Sequence, residues 1–290
     1  MDGSNTVTAA VPSRMLEGKL AVISGAARGL GAAIARNLAS KGCSLILNYK
    51  STTSDQLAAA LAAELHEKHN VRCVPIRADI TSEADCAALI DAAKEAFQGP
   101  DQKFQIDIVI NNAGVGSLAP LGSIRPDHFH EHMTTNVLGP ILLTQACLPY
   151  LPHDRSGRIV NVSSIGSFIG LPAQGVYAAS KGALESITKV WAAELAERAT
   201  VNAINPGPIM TELYMCQTLE TKKLLARWNP ITPLSQVNES DTEEVKKLAE
   251  EIGGGRAAYD WEVAGTVGML CSPECRWTTG SVVSSNGGLR

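Results

Sequence analysis

A tyrosine and a lysine, four residues apart, have side-chain types and spacing that could do chemistry. Tyr177-Ala-Ala-Ser-Lys181 opens a helical stretch, so the two side chains lie on one helical face. A phenol with a pKa of about 10 is a poor base at neutral pH, and a nearby ammonium group favours the phenolate. The spacing is also typical of an exposed surface pair. In the right setting, it forms an acid/base that exchanges a proton with a carbonyl or alcohol oxygen.

A serine and an asparagine stand where they could join that pair. Ser164 follows a predicted strand at 157–162 and precedes Tyr177 by thirteen residues, so its hydroxyl could share a substrate oxygen with the phenol. Asn136 interrupts an otherwise apolar helical stretch, where a buried amide needs a partner or a water molecule. We predict Asn136, Ser164, Tyr177 and Lys181 as the catalytic residues.

A glycine-rich turn follows the first apolar run and opens a helix. It reads Ser24-Gly25-Ala-Ala-Arg28-Gly29-Leu30-Gly31, with the spacing G-x-x-x-G-x-G. Glycines let the backbone approach a pyrophosphate closely, and a helix N-terminus offers N–H groups and the positive end of a dipole. Glycine clusters also serve ordinary turns, but a strand before and a helix after predict a nucleotide-binding turn here.

The end of the second predicted strand indicates which nucleotide is bound. An NAD-selective site places an acid there to hold the ribose 2′-hydroxyl, whereas this strand ends Asn48-Tyr49-Lys50-Ser51. Lys50, the Ser51 hydroxyl and Arg28 of the glycine turn would instead stabilise a 2′-phosphate by charge-assisted hydrogen bonds. Lys50 alone could be a solvated surface lysine. With the acid missing, the sequence favours NADP(H) over NAD(H) as the cofactor.

Apolar runs alternate with amphipathic stretches along most of the chain. The runs at 20–24, 44–49, 71–76, 106–110, 157–162, 201–204 and 281–284 are predicted strands, and 30–40, 54–70, 82–97, 134–150 and 176–198 are predicted helices. Alternation of this kind predicts parallel strands joined by helical crossovers. The fold class is therefore α/β: a single Rossmann-type, doubly wound parallel sheet of about seven strands, with helices on both faces.

Two segments fall outside this rhythm. Residues 1–14 read as a flexible N-terminal tail, which leaves 15–290 as one domain. A proline- and glycine-interrupted segment at about 208–260 reads as an extended mobile flap over the substrate. Trp228 and Trp261, in and beside this flap, could line an aromatic pocket or serve as packing residues. A flap of this length favours a bulky ketone and a role in specialised metabolism.

Composition narrows the function classes. The 290 residues are 45% hydrophobic and 19% charged, with a net charge of −4, which gives no reason to expect nucleic-acid or membrane binding. Seven scattered cysteines predict reduced thiols and a cytoplasmic protein. His128, His130 and His132 alternate at a helix start, and lacking further ligands at metal spacing they read as a solvated face. We therefore expect no metal site.

Together these motifs resemble the short-chain dehydrogenase/reductase superfamily, from about residue 19 to 288. Two further motifs carry the resemblance, Asn111-Asn112-Ala113-Gly114 and Asn205-Pro206-Gly207. It implies that the cofactor contacts are Gly25, Arg28, Gly29, Leu30, Gly31, Asn48, Tyr49, Lys50, Ser51, Asp79, Ile80, Asn112, Ala113, Gly114, Tyr177, Lys181, Pro206, Gly207, Ile209 and Thr211. Among these, Asp79 would contact the adenine, and 206–211 would hold the nicotinamide carboxamide.

The resemblance also implies a mechanism. Hydride passes between the nicotinamide and a carbonyl carbon, Tyr177 donates the proton, and Ser164 stabilises the oxygen. Lys181 would bind the nicotinamide ribose and lower the pKa of Tyr177, while Asn136 would hold a water molecule. We expect an NADPH-dependent ketone reductase of specialised metabolism, whose small-molecule substrate is a bulky carbonyl compound. The alternatives are an NADP-dependent alcohol dehydrogenase working oxidatively and a redox-inactive NADP(H)-binding regulator. In relatives, the helices of Asn136 and Tyr177 pack between subunits, which implies a homotetramer or homodimer.

Overall fold

One parallel sheet organises the part of the chain that the computed structural model describes, residues 14–99 and 103–289. Within these residues seven strands pair in the order β3-β2-β1-β4-β5-β6-β7, and every pairing is parallel. The strands are β1 Leu20–Ile23, β2 Ser44–Tyr49, β3 Cys73–Arg77, β4 Ile108–Asn111, β5 Gly157–Val162, β6 Ala199–Pro206 and β7 Val282–Ser285. The strand order reverses between β1 and β4, the place where such sheets bind ligands at their carboxyl edge.

Helices connect the strands and cover the sheet. They are α1 Gly29–Ser40, α2 Asp55–His69, α3 Glu83–Phe97, α4 Pro126–Met133, α5 Gly139–Cys147, α6 Gly175–Glu194, α7 Glu212–Met215, α8 Leu219–Leu225, α9 Glu243–Ile252 and α10 Asp260–Cys271. None of the helices in the described ranges is long and apolar enough to span a membrane.

Different helices cover the two faces of the sheet. Ala21 and Ile23 of β1 pack in one apolar cluster with α1 and α10. Leu20 and Val22 point the other way, into a cluster with α3 and α5. Because both faces are covered, every residue of β1 is buried and the strand reads as a continuous apolar run. The predicted fold class, a doubly wound parallel sheet with helices on both faces, is confirmed.

The predicted helices omit α10, and a second error lies before β5. The sequence predicted one helix over 134–150, whereas α4 begins at Pro126 and is followed by a π-helical turn, Thr134–Leu138, before α5. Proline at the first helical position is a helix-start signal that the prediction did not use. At the far end of α6, the predicted helix ran to residue 198, but α6 ends at Glu194 and β6 already begins at Ala199.

The predicted flap is held by a buried group of charges. The side chains of Arg256 and Asp241 are 9% and 2% exposed, and Arg256 Nε lies 3.1 Å from Asp241 Oδ1. Two further Arg256 nitrogens each donate to a Glu262 carboxylate oxygen at 2.8 Å, and these bonds hold the pKa of Glu262 below its ordinary value. The Tyr259 hydroxyl donates to Asp241 at 3.1 Å. The group ties the flap to the start of α10, while flap mobility stays a prediction.

Replacing Arg256 with methionine should lower the free energy of unfolding by about 3–5 kcal/mol, because it leaves the buried Asp241 carboxylate without a counter-charge. Urea unfolding measures this directly. Arg155→Met is the matched control. Its pair with Glu197 is 65% and 77% exposed, so its loss should cost less than about 1 kcal/mol. Equal, small changes in both variants would contradict a bracing role for Arg256.

Candidate active site

The predicted catalytic residues meet at the carboxyl edge of the sheet. Ser164 follows β5 and caps the 3₁₀ turn Ile165–Ser167, accepting a hydrogen bond from the Gly166 N–H at 3.1 Å. Tyr177 lies in the first turn of α6 and Lys181 one turn later, with Lys181 Nζ 5.9 Å from the centre of the Tyr177 ring. Ser164 lies beside the Tyr177 phenol, where its hydroxyl lowers the pKa of that phenol. Lys181 is buried and Tyr177 and Ser164 are half-buried, so Tyr177 and Lys181 are not an exposed surface pair.

Two glycines set the width of the space that holds the Tyr177 ring. A Cβ added to Gly116 would lie 3.2 Å from Tyr177 Cε2, and one added to Gly166 would lie 3.2 Å from Cε1. Both distances are shorter than ordinary van der Waals contact. Backbone segments therefore lie against two opposite edges of the Tyr177 ring. We refer to the space between Gly116 and Gly166 as the tyrosine slot. Sequence reasoning assigned neither glycine.

Asn136 fastens the loop after β4. Its Oδ1 accepts from the Val115 N–H at 2.8 Å, and its Nδ2 donates to the Val115 carbonyl at 2.9 Å and to Ser180 Oγ at 3.0 Å. It is fully buried in the π-helical turn. A Cβ added to Gly114 would lie 3.1 Å from Asn136 Oδ1 and 3.3 Å from Lys181 Nζ, so only glycine leaves room there. The predicted water-holding role of Asn136 stays a prediction.

Burial governs the protonation of the two key groups. It raises the pKa of the Tyr177 phenol above its ordinary value, and the neighbouring Ser164 hydroxyl lowers it by less. It also lowers the pKa of Lys181 to about 8, and Lys181 Nζ donates to the Val162 carbonyl at 2.8 Å. The net direction in the protein alone is upward, because desolvation is the largest cause. The predicted lowering of the Tyr177 pKa by Lys181 stays a prediction. A protonated phenol is the form that can donate to a carbonyl oxygen.

The glycine turn after β1 is compact and open towards the sheet edge. Gly25 and Gly29 have φ of 64° and 54°, in the left-handed region that side chains disfavour. A Cβ on Gly31 would lie 2.2 Å from the Gly25 carbonyl oxygen, so the turn closes only with glycine there. Asn112 Nδ2 donates to the Ser24 carbonyl at 2.9 Å and to that of Gly25 at 3.2 Å.

The N-terminus of α1 suits a bound phosphate. Its N-cap residue, Arg28, makes no capping hydrogen bond from its side chain, and the first turn holds no acidic residue. The first N–H groups of the helix therefore face the glycine turn, and no acidic side chain in the first helical turn would repel a bound anion. These features, with the glycine cradle, fit a pyrophosphate. Leu30 is buried against the core and anchors the helix. Thr211 lies against Gly29, 3.4 Å from the position of an added Cβ.

The residues predicted for the ribose and adenine surround one hollow beside the glycine turn. It is lined by Gly25, Asn48, Lys50, Ala78, Asp79, Ile80, Thr81, Ala113 and Thr135. Lys50 Nζ forms an ion pair with Asp79 Oδ2 at 2.7 Å. Burial raises the pKa of Asp79, but hydrogen bonds from Lys50 and Thr81 lower it more, so the carboxylate is favoured. Thr81 and Thr135 are lining residues that sequence reasoning missed.

Three predicted contacts make other interactions in the structure. Arg28 Nη1 lies 3.3 Å from Glu212 Oε2, in an exposed ion pair between the glycine turn and α7. Ser51 Oγ caps the turn at Thr52–Ser54, and the Tyr49 phenol hydrogen-bonds to Asp55. Arg28 and Lys50 thus have protein partners that a 2′-phosphate would have to displace.

The remaining predicted contacts lie after β6. Pro206 ends β6, Gly207 follows it, and Ile209 forms a bridge with Ala258. The 206–211 segment is therefore where the chain leaves the sheet edge and the flap begins. Its predicted contact with the nicotinamide stays a prediction.

The histidine prediction is wrong at one position. His130 is exposed, but His132 is completely buried and its ring centre lies 6.4 Å from that of Tyr177, edge to face. The sequence read all three histidines as a solvated face because no further ligands follow them at metal spacing. In the described ranges no cluster of three or more His, Cys, Asp or Glu side chains could hold a metal ion. All seven cysteines are free thiols.

Comparisons with known proteins agree with this geometry. The family model described as short chain dehydrogenase matches residues 19–222. The chain is 48% identical to an L-xylulose reductase of Aspergillus niger, covering 96% of this chain and 99% of that protein. It is 44% identical to an L-xylo-3-hexulose reductase of Hypocrea jecorina, covering 96% and 98%.

A solved structure, the angucycline C-6 ketoreductase LanV with bound NADP, is also similar. It superposes with a TM-score of 0.80 at 28% identity, covering 94% of this chain and 96% of that one. The resemblance drawn from the motifs is thereby confirmed. The chain belongs to the short-chain dehydrogenase family, and it is an oxidoreductase that acts on carbonyl or hydroxyl groups.

Proposed function

We propose that this protein is an NADPH-dependent reductase of small polyhydroxylated ketones. The observation that carries the proposal is the convergence of Tyr177, Ser164 and the buried Lys181, with Lys181 Nζ 5.9 Å from the centre of the Tyr177 ring and Ser164 beside the phenol. The high identity to two ketose reductases over nearly the whole chain supports a sugar ketone as the substrate.

The protein supplies position and a proton. The nicotinamide cofactor supplies the hydride when it is bound. Tyr177 donates its proton to the substrate carbonyl oxygen, and the Ser164 hydroxyl donates a hydrogen bond to that oxygen as it becomes negative. Lys181, with a pKa of about 8, can return a proton towards Tyr177 near neutral pH. Arg28 and Lys50 are exposed partners of Glu212 and Asp79, and in this proposal a ribose phosphate takes the place of those carboxylates.

A bulky ketone, predicted from the flap, is the second candidate. Exposed apolar side chains on α7 favour it: Leu213 is 61% and Met215 51% exposed. The similarity to LanV, an angucycline ketoreductase by its description, points the same way. The identity to the ketose reductases is much higher, and we therefore rank the ketose first.

A carbonyl panel separates the candidates. The loss of NADPH absorbance is measured with L-xylulose, L-xylo-3-hexulose, simple ketones and polycyclic ketones, and the reverse reaction is measured with the alcohols and NADP⁺. A kcat/KM highest for the ketoses supports the first proposal, whereas a preference for polycyclic ketones supports the second. Faster turnover with alcohol and NADP⁺ would favour an oxidative dehydrogenase. Tight NADPH binding without turnover of any carbonyl would favour the redox-inactive regulator.

Arg28→Ala tests the cofactor assignment. A charge-assisted hydrogen bond contributes about 1.5–3 kcal/mol, so its loss should raise the KM for NADPH by at least about tenfold. The KM for NADH should change little, because NADH has no 2′-phosphate. Arg36→Ala is the control, since Arg36 lies on the same helix but pairs with Glu64 of α2. Equal effects on both cofactors would contradict a contact between Arg28 and the 2′-phosphate.

The assembly and location are extensions of the same proposal. We propose a homodimer or homotetramer, on the resemblance of the helices that carry Asn136 and Tyr177 to subunit-packing helices in relatives. We also propose a cytoplasmic location, consistent with seven free thiols.

A further inference from the structure

Two backbone groups select one tautomer of His132. Its Nδ1 lies 2.9 Å from the His128 carbonyl oxygen, which can only accept, so Nδ1 carries the proton. Its Nε2 accepts from the Ser117 N–H at 3.2 Å, so Nε2 carries none. The ring is completely buried and makes two directed bonds, one within α4 and one to the loop after β4.

The loop Val115–Ser117 is fastened at both ends by neighbouring turns of one helical segment. Asn136 binds both the N–H and the carbonyl of Val115. Four residues earlier, on the same face, His132 binds the N–H of Ser117. Ser117 Oγ also lies 3.4 Å from His128 Nδ1, and the His128 ring is 4.4 Å from that of His132. Gly116, the middle residue of the loop, has no side chain, and it is therefore held through the hydrogen bonds of its neighbours Val115 and Ser117.

Gly116 is one wall of the tyrosine slot. An added Cβ there would lie 3.2 Å from Tyr177 Cε2, so the backbone of the loop limits how far the ring can move in that direction. The opposite wall, Gly166, belongs to the turn that Ser164 caps. The spacing between these walls sets where the phenol oxygen lies relative to Ser164.

We propose that His132 is a positioning residue for Tyr177: by holding Ser117, it fixes the loop wall against the Tyr177 ring and so aligns the phenol with Ser164 and the substrate carbonyl. The proposal rests on the acid role of Tyr177 given under Proposed function. An aliphatic side chain at 132 would fill the same space but would leave the Ser117 N–H without its acceptor.

Three variants test the role of this acceptor. His132→Leu should lower kcat by roughly tenfold to a hundredfold, because small displacements of a catalytic group have large effects on rate. The KM for NADPH should not change. His132→Gln, whose amide oxygen can reach the Ser117 N–H, should recover kcat to within about threefold. His130→Leu, an exposed position on the same helix, should match the wild type.

Hydrogen exchange at residues 115–119 supplies a readout that does not depend on turnover. Exchange in the protein alone should be faster in His132→Leu and near the wild-type rate in His132→Gln. Unchanged exchange in His132→Leu would overturn the proposed hold on the loop. Faster exchange with an unchanged kcat would overturn the link to Tyr177. Failure of the proposed function would appear instead as wild-type protein that reduces no ketone, while the exchange result would still stand.

Gly116→Ala tests the same wall if His132→Leu does not fold. The added methyl group must displace the Tyr177 ring or the loop, so kcat should fall although His132 is intact. Gly170→Ala is the matched control, because a Cβ at Gly170 meets nothing within 4 Å. An unchanged kcat in Gly116→Ala would overturn the claim that the loop wall aligns Tyr177.

Discussion

Tyr177→Phe is expected to lower kcat by about 10²- to 10⁴-fold, with little change in the KM for NADPH. Only the phenol oxygen is removed, and the ring still fits the slot between Gly116 and Gly166. The folded structure should therefore persist while the proton donor is lost. Steady-state kinetics with the best ketone of the panel measure the effect, and thermal unfolding checks that the variant is folded.

Two companion variants give this result its meaning. Tyr150→Phe removes a phenol that packs against Phe104, outside the site, and should leave kcat unchanged. Ser164→Ala should also lower kcat, and the double variant with Tyr177→Phe should be little worse than Tyr177→Phe alone, because groups that act as a unit are not additive. A Tyr177→Phe enzyme with wild-type kcat would require a different proton donor and would refute the proposed mechanism.

The sheet could be predicted well because its strands are buried on both faces. The ranges 44–49 and 157–162 match β2 and β5, and the other strands differ only at their ends. A short, continuous apolar run bounded by turn residues is consistent with few structures other than a buried strand in a chain of this composition. The glycine turn was predictable because it depends on a local contact. Glycine is required at position 31 by the carbonyl of Gly25, which belongs to the same turn.

The segment before β5 could not be predicted in the same way. A π-helical turn has no distinct residue pattern, and the burial of His132 depends on where α4 meets α6 and the loop after β4. From sequence alone, three alternating histidines without further ligands at metal spacing indicate a solvated face. Only the tertiary contacts reveal that this position faces the catalytic tyrosine.

Charges were also difficult to place from the sequence. Arg256, Asp241 and Glu262 are spread over more than twenty positions of a polar stretch, and such residues usually lie in solvent. Their pairing appears only when the flap folds back onto α10. The same limit applies to the Tyr177 pKa, because sequence spacing indicates the nearby ammonium but not the desolvation that raises this pKa.

Lys181→Met is expected to abolish most turnover and yet stabilise the protein at neutral pH. The Lys181 side chain is buried, at 4% exposure, and burial lowers its pKa from the ordinary 10.5 to about 8. That difference corresponds to a cost of about 3 kcal/mol for burying the charged form. Losing the hydrogen bond to the Val162 carbonyl offsets about 1 kcal/mol of the gain. Methionine should therefore raise the free energy of unfolding at pH 7 by about 2 kcal/mol.

The pH dependence distinguishes this cause from better packing. Between a pKa of about 8 in the folded protein and 10.5 when unfolded, the unfolded chain binds more protons, so the wild type gains stability as pH rises through this window. Methionine does not titrate, and the advantage of Lys181→Met should shrink between pH 8 and pH 10. Lys189→Met, exposed on the same helix, should show neither effect. A pH-independent advantage would mean that packing, not charge burial, stabilises the variant. A shrinking advantage would mean that the chain keeps a destabilising lysine at this position because the reaction requires it.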